Sequence, residues 1–209
     1  MFSDIQLLQI KICRLIFGRP YSNRQIRQLG YNVIKAAGKC EIGQCRLLAV
    51  EYINTIRKEI NKAQITSDIF SQWMNRETIS VSTNQYNRRQ AANLLGTSVE
   101  TIRNWERNGL VLSNTYGELN ERLFDDSDME RLRIIYMLRQ TGYSMYSIHR
   151  CLTMFDNGYK DMGLTLLNKP EDEEYLLSAG DHWLNVLNDL EYDAANILPL
   201  IDQLEKIVV

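Results

Sequence analysis

Short polar and arginine side chains gather in one short stretch of the chain. They are Ser98, Thr101, Arg103, Asn104 and Arg107. Hydroxyl, amide and guanidinium groups suit both phosphate oxygens and the edges of bases. Apolar Val99, Ile102 and Trp105 alternate with them at helical spacing, which predicts a buried face on the same helix. The stretch is therefore predicted to be a helix with one side in the core and one side against nucleic acid.

The residues before this helix predict another, shorter helix and a tight turn that connects the two. A first short helix has the apolar residues Ala91, Ala92, Leu94 and Leu95. Gly96 permits a sharp turn, because glycine takes a positive φ without strain. The second helix starts at Thr97 or Ser98, where Thr97-Ser98-Val99-Glu100 fits a capping box that uses Glu100. Residues 90–110 therefore predict a helix-turn-helix.

The chain after Leu110 predicts a small β-hairpin wing. Two β-prone segments, Val111-Leu112 and Arg122-Leu123-Phe124, flank a polar turn. Two more helices follow within residues 125–152. Asp125 or Ser127 caps the first of them, Gly142 ends it, and Ser144 caps the second.

Residues 1–75 predict an all-helical module. Helical apolar spacing occurs near 1–18, 22–37, 43–63 and 67–75. Residues 76–85 are polar and rich in Ser and Thr, which predicts a linker or a short strand. The module shows no paired carboxylates, no nucleophile with a base and no phosphate loop, so an enzyme is not expected.

The C-terminal segment has an unbroken heptad seam. Its apolar residues are separated by alternating steps of four and three: Trp183, Leu187, Leu190, Ala194, Ile197, Ile201, Leu204 and Val208. This spacing predicts a coiled coil that joins two copies of the chain. The alternative is an amphipathic helix that faces the chain's own core. Pro199 lies inside the run but off the seam, and it should kink or split the helix.

The charge is unevenly distributed along the chain. Residues 1–80 have an excess of six positive charges, residues 81–151 an excess of one, and residues 152–209 an excess of nine negative charges. This segregation indicates that the front of the chain faces a polyanion. The alternative is that the basic front packs against the acidic tail.

The four cysteines do not form a recognisable metal motif. Cys40 and Cys45 are the only close pair, and neither His149 nor His182 is near them in the sequence. A structural zinc site needs four ligands, so free thiols, one or more of them buried, are favoured over a metal or redox role. No apolar run has the length of a membrane span, and the N-terminus lacks a secretory signal. We therefore expect no cofactor, no membrane contact and a cytoplasmic location.

Residues 86–152 resemble the MerR family of bacterial transcription regulators. The resemblance rests on YNRRQAANLLGTSVETIRNWERNGLV and RLFDDSDMERLRIIYMLRQTGYSMYSIHRCL, in the order recognition helix, wing, acidic cap and helix pair. It implies a mainly α protein in which a winged helix-turn-helix lies between the N-terminal helical module and a C-terminal coiled-coil dimerisation helix. Such a homodimer binds the double-stranded DNA of a pseudo-palindromic promoter and distorts it for RNA polymerase.

The resemblance and the helix pattern together indicate which residues contact DNA. Arg103 and Trp105 match the family's Arg-Tyr-Tyr-Glu stretch, and Arg122 matches its wing arginine. Arg88 and Arg89, at the start of the first helix, can reach phosphate. Trp105 is expected to be half core and half contact. The predicted contacts are Arg88, Arg89, Ser98, Thr101, Arg103, Asn104, Trp105 and Arg122.

The sequence departs from the family pattern in three ways. Asn120-Glu121-Arg122 replaces the common Gly-Tyr-Arg of the wing, so a carboxylate stands where an aromatic would contact phosphate. About 80 residues precede the helix-turn-helix, which usually comes first. Residues 183–209 contain no cysteine, which argues against a thiolate metal sensor.

Two functions are consistent with these patterns. The first is a dimeric, sequence-specific transcription regulator that distorts its promoter, with RNA polymerase and an unidentified small-molecule effector as further partners. The second is an architectural or partner-docking protein with little promoter control, favoured by the near-neutral charge of residues 81–151. In either case we expect a helical module at 1–80, a DNA-binding domain at 81–155, and a connector with the dimerisation helix at 156–209.

Overall fold

The computed structural model describes residues 2–19, 21, 23–75, 84–113, 115–159, 167 and 183–208. Within this part of the chain, the helices are α1 (Asp4–Phe17), α2 (Arg24–Gly38), α3 (Ile42–Asn75), α4 (Arg88–Leu95), α5 (Val99–Arg107), α6 (Asp126–Thr141), α7 (Met145–Asp156), α8 (Trp183–Ala195) and α9 (Ile197–Val208). The strands are β1 (Tyr86–Asn87), β2 (Thr115–Tyr116) and β3 (Arg122–Phe124). The mainly α fold with a small sheet is confirmed.

Two compact units divide the chain. The terminal unit combines Met1–Gln64 with Asp172–Val209, and the central unit is Ile65–Glu171. The contacts thus group the N-terminal helices with the tail. The predicted division at 1–80, 81–155 and 156–209 stays a prediction about which segments fold independently.

The first helix of the terminal unit, α1, starts with a side-chain cap at Ser3. Ser3 Oγ accepts a hydrogen bond from the Gln6 N–H at 3.3 Å, and Gln6 Oε1 accepts one from the Ser3 N–H at 3.0 Å. This reciprocal capping box starts α1, which then buries Leu8, Ile12 and Ile16 on one side. A Cβ added at Gly30 of α2 would lie 2.4 Å from a methyl carbon of Ile16, so the two helices approach closely at this glycine.

The heptad seam of α8 and α9 lies inside the terminal unit. Both helices pack against α1 of the same chain. The first seven seam residues are buried, namely Trp183, Leu187, Leu190, Ala194, Ile197, Ile201 and Leu204, whereas Val208 is 40% exposed. The core-facing alternative therefore accounts for the apolar spacing, because the chain's own helices cover the seam. A coiled coil between two copies stays a prediction.

Ion pairs join the basic front of the chain to the acidic tail within this unit. Arg19 pairs with Asp189 and Asp193 at 2.9 and 2.7 Å, Arg46 with Asp202 and Glu205 at 2.6 and 2.8 Å, and Arg57 with Glu191 at 2.7 Å. These contacts confirm that the basic front packs against the acidic tail. Exposed pairs of this kind contribute roughly 0–1 kcal/mol each, so they orient the tail more than they stabilise it.

Pro199 splits the C-terminal helix, as predicted. α8 ends at Ala195 and α9 begins at Ile197. Pro199 falls in the first turn of α9, where its missing N–H would have no intrahelical partner. Its ring also disfavours a helical carbonyl four residues earlier, at Ala195, which is where the break occurs. Both helices still bury their part of the seam.

α3 is a single helix of 34 residues. The prediction of separate helices at 43–63 and 67–75 was wrong, because the residues between them include neither Gly nor Pro. Thr66 instead packs in the central unit, where its hydroxyl lies 2.9 Å from that of Thr141. No helix in the described ranges is long and apolar enough to cross a membrane.

The sheet of the central unit is antiparallel, in the order β1-β3-β2. Tyr86 pairs with Phe124, and Thr115 pairs with Leu123. The prediction of a first wing strand at Val111-Leu112 was wrong, because Val111 is fully buried in the core and the hairpin partner begins four residues later. Of the predicted linker, residues 76–83 lie outside the described residues.

Helix α6 begins and ends, and α7 begins, where the sequence predicted. Asp125 caps α6 and forms a reciprocal capping box with Asp128, with hydrogen bonds of 2.7 and 3.3 Å. Gly142, at φ +112°, ends α6, and the Ser144 side chain accepts from the Ser147 N–H to start α7. Helix α6 packs against α4 of the helix-turn-helix and against α7.

Candidate nucleic-acid interface

The turn between α4 and α5 sets the direction of the second helix. Asn87 caps α4 by accepting from the Gln90 N–H at 3.0 Å, and Gln90 Oε1 accepts from the Asn87 N–H at 2.8 Å. α4 ends at Gly96, which has φ +66°, a left-handed conformation that favours glycine. The Thr97 N–H then donates to the Ala92 carbonyl at 2.9 Å. The predicted helix-turn-helix is confirmed.

α5 starts at Ser98, and the cap differs from the predicted capping box. The Ser98 side chain accepts from the Thr101 N–H at 3.0 Å, and the two hydroxyl oxygens lie 2.9 Å apart. Glu100 takes no part in the cap, so that part of the prediction was wrong. Ser98 is exposed and Thr101 is half-buried, which leaves both hydroxyls at the rim of the helix.

Four side chains form an exposed stripe along α5: Glu100, Arg103, Asn104 and Arg107. Steps of three and four residues place them on one face of the helix. Glu100 accepts from Arg107 Nη2 at 2.6 Å and from Arg103 Nη1 at 3.3 Å. The Asn104 amide oxygen accepts from the Asn108 side chain at 3.0 Å.

Trp105 lies on the opposite side of α5. It is 3% exposed, and its ring centroid is 6.5 Å from that of Tyr136 on α6. Ile102 is fully buried beside it in the same apolar face. The structure thus places Trp105 in the core, where it fixes the rotation of α5 and so the direction of the exposed stripe.

Glu106 links three elements at the edge of α5. Its carboxylate accepts two hydrogen bonds from Arg88 of α4, at 2.6 and 3.1 Å, and lies 3.6 Å from an Arg122 nitrogen on β3. The Glu106 side chain is only 7% exposed, whereas those of Arg88 and Arg122 are about 30% exposed. The hydrogen bonds that Arg88 donates to Glu106 raise the pKa of Arg88, so this guanidinium stays charged.

Five arginines from α4, α5 and β3 line two adjoining hollows, which together we call the arginine groove: Arg88, Arg89, Arg103, Arg107 and Arg122. The larger hollow has a volume of about 420 Å³ and lies open to solvent between the helix-turn-helix and the wing. Glu106 and Glu121 also line the groove. The arginines outnumber these carboxylates, so the groove favours an anion such as a phosphate.

The wing has Glu121 where the family pattern has an aromatic residue, but the aromatic ring of Tyr116 lies next to Arg122. Glu121 is engaged within the turn, since its carboxylate accepts from the Leu119 N–H at 3.0 Å and lies against Gly117. The Arg122 guanidinium lies 5.8 Å from the ring centroid of Tyr116, the neighbouring residue on β2, which is 52% exposed. Leu119 projects from the wing tip with 88% of its surface exposed.

Sequence reasoning missed the carboxylates that organise this surface. Glu100 and Glu106 hold four of the arginines, and neither was predicted as a functional residue. The spacing of Glu100 from Arg103 and Arg107, three and seven residues, was visible in the sequence. The link from Glu106 to Arg88 and Arg122 spans three elements, and no local pattern indicates it.

Among the described residues, Cys13, Cys40, Cys45 and Cys151 form no disulfide. Burial raises the pKa of Cys45 to about 11 and that of Cys151 to about 12, so both favour the protonated form. In the described part of the chain, no group of three His, Cys, Asp or Glu side chains is placed to hold a metal ion.

A recognition helix with a polar stripe, an arginine groove and a β-hairpin define a winged helix-turn-helix domain. Residues 86–154 match the model of the MerR HTH family regulatory proteins. A "Probable heavy metal-dependent transcriptional regulator" of Haemophilus influenzae is 35% identical over 68 residues, which are 32% of this chain and 53% of that protein. The chain thus spans about half the length of this relative. Residues 86–154, about a third of the chain, therefore match the MerR family, as the resemblance indicated. No solved structure matches the chain.

Proposed function

We propose that the protein is a DNA-binding transcription regulator of the MerR type. The observation that carries the proposal is the position of the exposed stripe of α5 beside the arginine groove. A helix of this diameter fits the major groove of B-DNA, where base edges are distinguishable. The family match and the regulator named above support the same function.

The contacts divide into two kinds. Arg89, Arg103 and Arg107 are exposed and can turn toward phosphates on either side of the major groove. Arg88 and Arg122 are held by Glu106, so they present their remaining N–H groups in a fixed position between α4 and the wing. Asn104 and the rim hydroxyls of Ser98 and Thr101 are the side chains placed for base edges.

The proposal extends to two copies on one pseudo-palindromic promoter. A single α5 covers one half-site, and a two-fold symmetric dimer covers two. Pairing through the heptad seam would require α8 and α9 to leave α1 of their own chain, or to exchange between copies. The match of residues 86–154 to the MerR family supports DNA distortion and cooperation with RNA polymerase, and an unidentified small-molecule effector is part of the same proposal.

Binding to promoter fragments tests this function. Fluorescence anisotropy against promoter and random duplexes should show a preference for some promoter sequence, and affinity should fall steeply as salt rises. Arg103→Gln should weaken binding to all sequences about equally and reduce the salt slope by roughly one. Arg133→Gln, on the exposed side of α6 and outside the arginine groove, is the matched control and should change neither quantity. Equal binding to all duplexes by the unaltered protein would contradict sequence-specific regulation.

A second candidate is an architectural protein without base preference. The carboxylates of Glu100, Glu106 and Glu121 on the DNA-facing side favour it, because each reduces the attraction for phosphate. Tight, salt-dependent binding with no preference in the same assay would support this candidate over the first.

A further inference from the structure

Glu100 is the first residue of the exposed stripe of α5, and around the helix axis it lies between the other three. Arg103 and Arg107 lie on one side of it, about one and two helical turns further along, and Asn104 lies on the other side, about one turn along. Its side chain is 60% exposed, and no core or capping contact uses its carboxylate. If α5 enters the major groove as proposed above, this carboxylate faces the base edges directly.

The two ion pairs of Glu100 are unequal. Oε1 accepts from Arg107 Nη2 at 2.6 Å, a short charge-assisted hydrogen bond. Oε2 accepts from Arg103 Nη1 at 3.3 Å, near the outer limit for such a bond. A DNA phosphate can therefore replace Glu100 as the partner of Arg103 at a small cost in free energy, because the hydrogen bond that is broken is long. The departure of Arg103 frees Oε2 while Arg107 still holds the carboxylate in place.

A free carboxylate oxygen selects among the four bases by charge. Cytosine presents the N4 amino donor in the major groove with no acceptor of its own beside it. Guanine and thymine present the acceptors O6 and O4, which repel a carboxylate. Adenine offers its N6 amino group, but the adjacent N7 acceptor reduces the gain.

We propose that Glu100 reads a cytosine in the DNA site, accepting a hydrogen bond from the N4 amino group through Oε2 while Arg107 positions the carboxylate. This inference rests on the proposed DNA-binding function and names one base preference within it. Glu100 is a specificity-determining residue, and Arg107 is its positioning residue.

Selection from a randomised DNA library tests the inference, with the full chain and Glu100→Gln compared in parallel. The glutamine has nearly the same shape and accepts or donates with equal ease, so it should lose the cytosine preference. We expect the unaltered protein to enrich cytosine at one position of each half-site by about tenfold, which corresponds to ~1.4 kcal/mol. The variant should enrich the same motif with that single position relaxed.

Glu130→Gln is the matched control, since it removes the same charge from an exposed position on α6. It should enrich the same motif as the unaltered protein. If Glu100→Gln binds every sequence more tightly but keeps the whole motif, Glu100 only repels phosphate and the inference is wrong. If the unaltered protein enriches no motif, the proposed function itself fails. Circular dichroism of the three proteins confirms that each variant is folded before selection.

Discussion

Removing the Glu106 carboxylate should loosen the link between α4 and α5 far more than the link between α5 and the wing. The reason is geometric. Glu106 accepts two hydrogen bonds from Arg88, at 2.6 and 3.1 Å, whereas its nearest Arg122 nitrogen is 3.6 Å away. The carboxylate is only 7% exposed, so solvent screens the Arg88 pair weakly.

Two double-mutant cycles separate the contributions. In one, Glu106→Gln is combined with Arg88→Gln, and in the other with Arg122→Gln. Hydrogen bonds to charged groups contribute roughly 1.5–3 kcal/mol, so the coupling free energy for Glu106 and Arg88 should be of that order. The Arg122 side chain is 31% exposed, and its nearest nitrogen is 3.6 Å from Glu106. A solvent-accessible ion pair at this separation contributes below about 1 kcal/mol, which is the expected coupling for Glu106 and Arg122.

Native-state hydrogen exchange of the α5 amides measures these couplings, because it reports the free energy of opening for the central unit alone. Global melting would mix the two compact units. Equal coupling in both cycles, or a larger value for Arg122, would refute the inference that Glu106 acts as a clamp, that is, that it holds α4 to α5 through Arg88 more strongly than it holds the wing through Arg122.

Three further predictions follow from burial. Trp105→Ala should lower the free energy of unfolding of the central unit by roughly 3–5 kcal/mol in urea titrations, while Trp105→Phe should retain DNA affinity, since the ring lies in the core. Gly30→Ala should destabilise the terminal unit by about 1–3 kcal/mol, because the added Cβ would meet a methyl carbon at 2.4 Å, whereas Gly43→Ala, with open space around it, should not. Cys45 and Cys151 should react with a thiol reagent at pH 8 only as the protein opens. Burial raises their pKa values from the usual 9.0, so the stability that the protonated thiols contribute is fully present below pH 9. It is lost as pH rises through about 11 for Cys45 and about 12 for Cys151, which thermal melts across that range would detect.

Local rules in the sequence were sufficient for much of the central unit. Gly96 and Ser98 place the turn and the start of α5, because a positive φ and a side-chain cap depend only on neighbouring residues. The same holds for Asp125, Gly142 and the helices that they bound. The confirmed helix-turn-helix and the family resemblance both rest on such local signals.

Local signals did not predict the secondary structure correctly where it depended on which other segment of the chain a stretch packs against. The hairpin strand was expected at Val111-Leu112, but Val111 is buried in the core. The third strand of the sheet is β1, which precedes the helix-turn-helix in the sequence and pairs with β3. Residues 64–66 were taken for a helix break, although a polar stretch without Gly or Pro can remain helical when it packs, as Thr66 does against Thr141.

The sequence by itself determined which faces are apolar, where helices start and stop, and that residues 98–107 present polar groups on one side. Only the tertiary structure decided what covers each apolar face, because periodicity defines a surface but not its partner. The heptad seam predicts a coiled coil equally well whether its partner is a second chain or α1 of the same chain. The Glu106 clamp was likewise invisible, since its three members are brought together only when α4, α5 and β3 pack around one buried carboxylate.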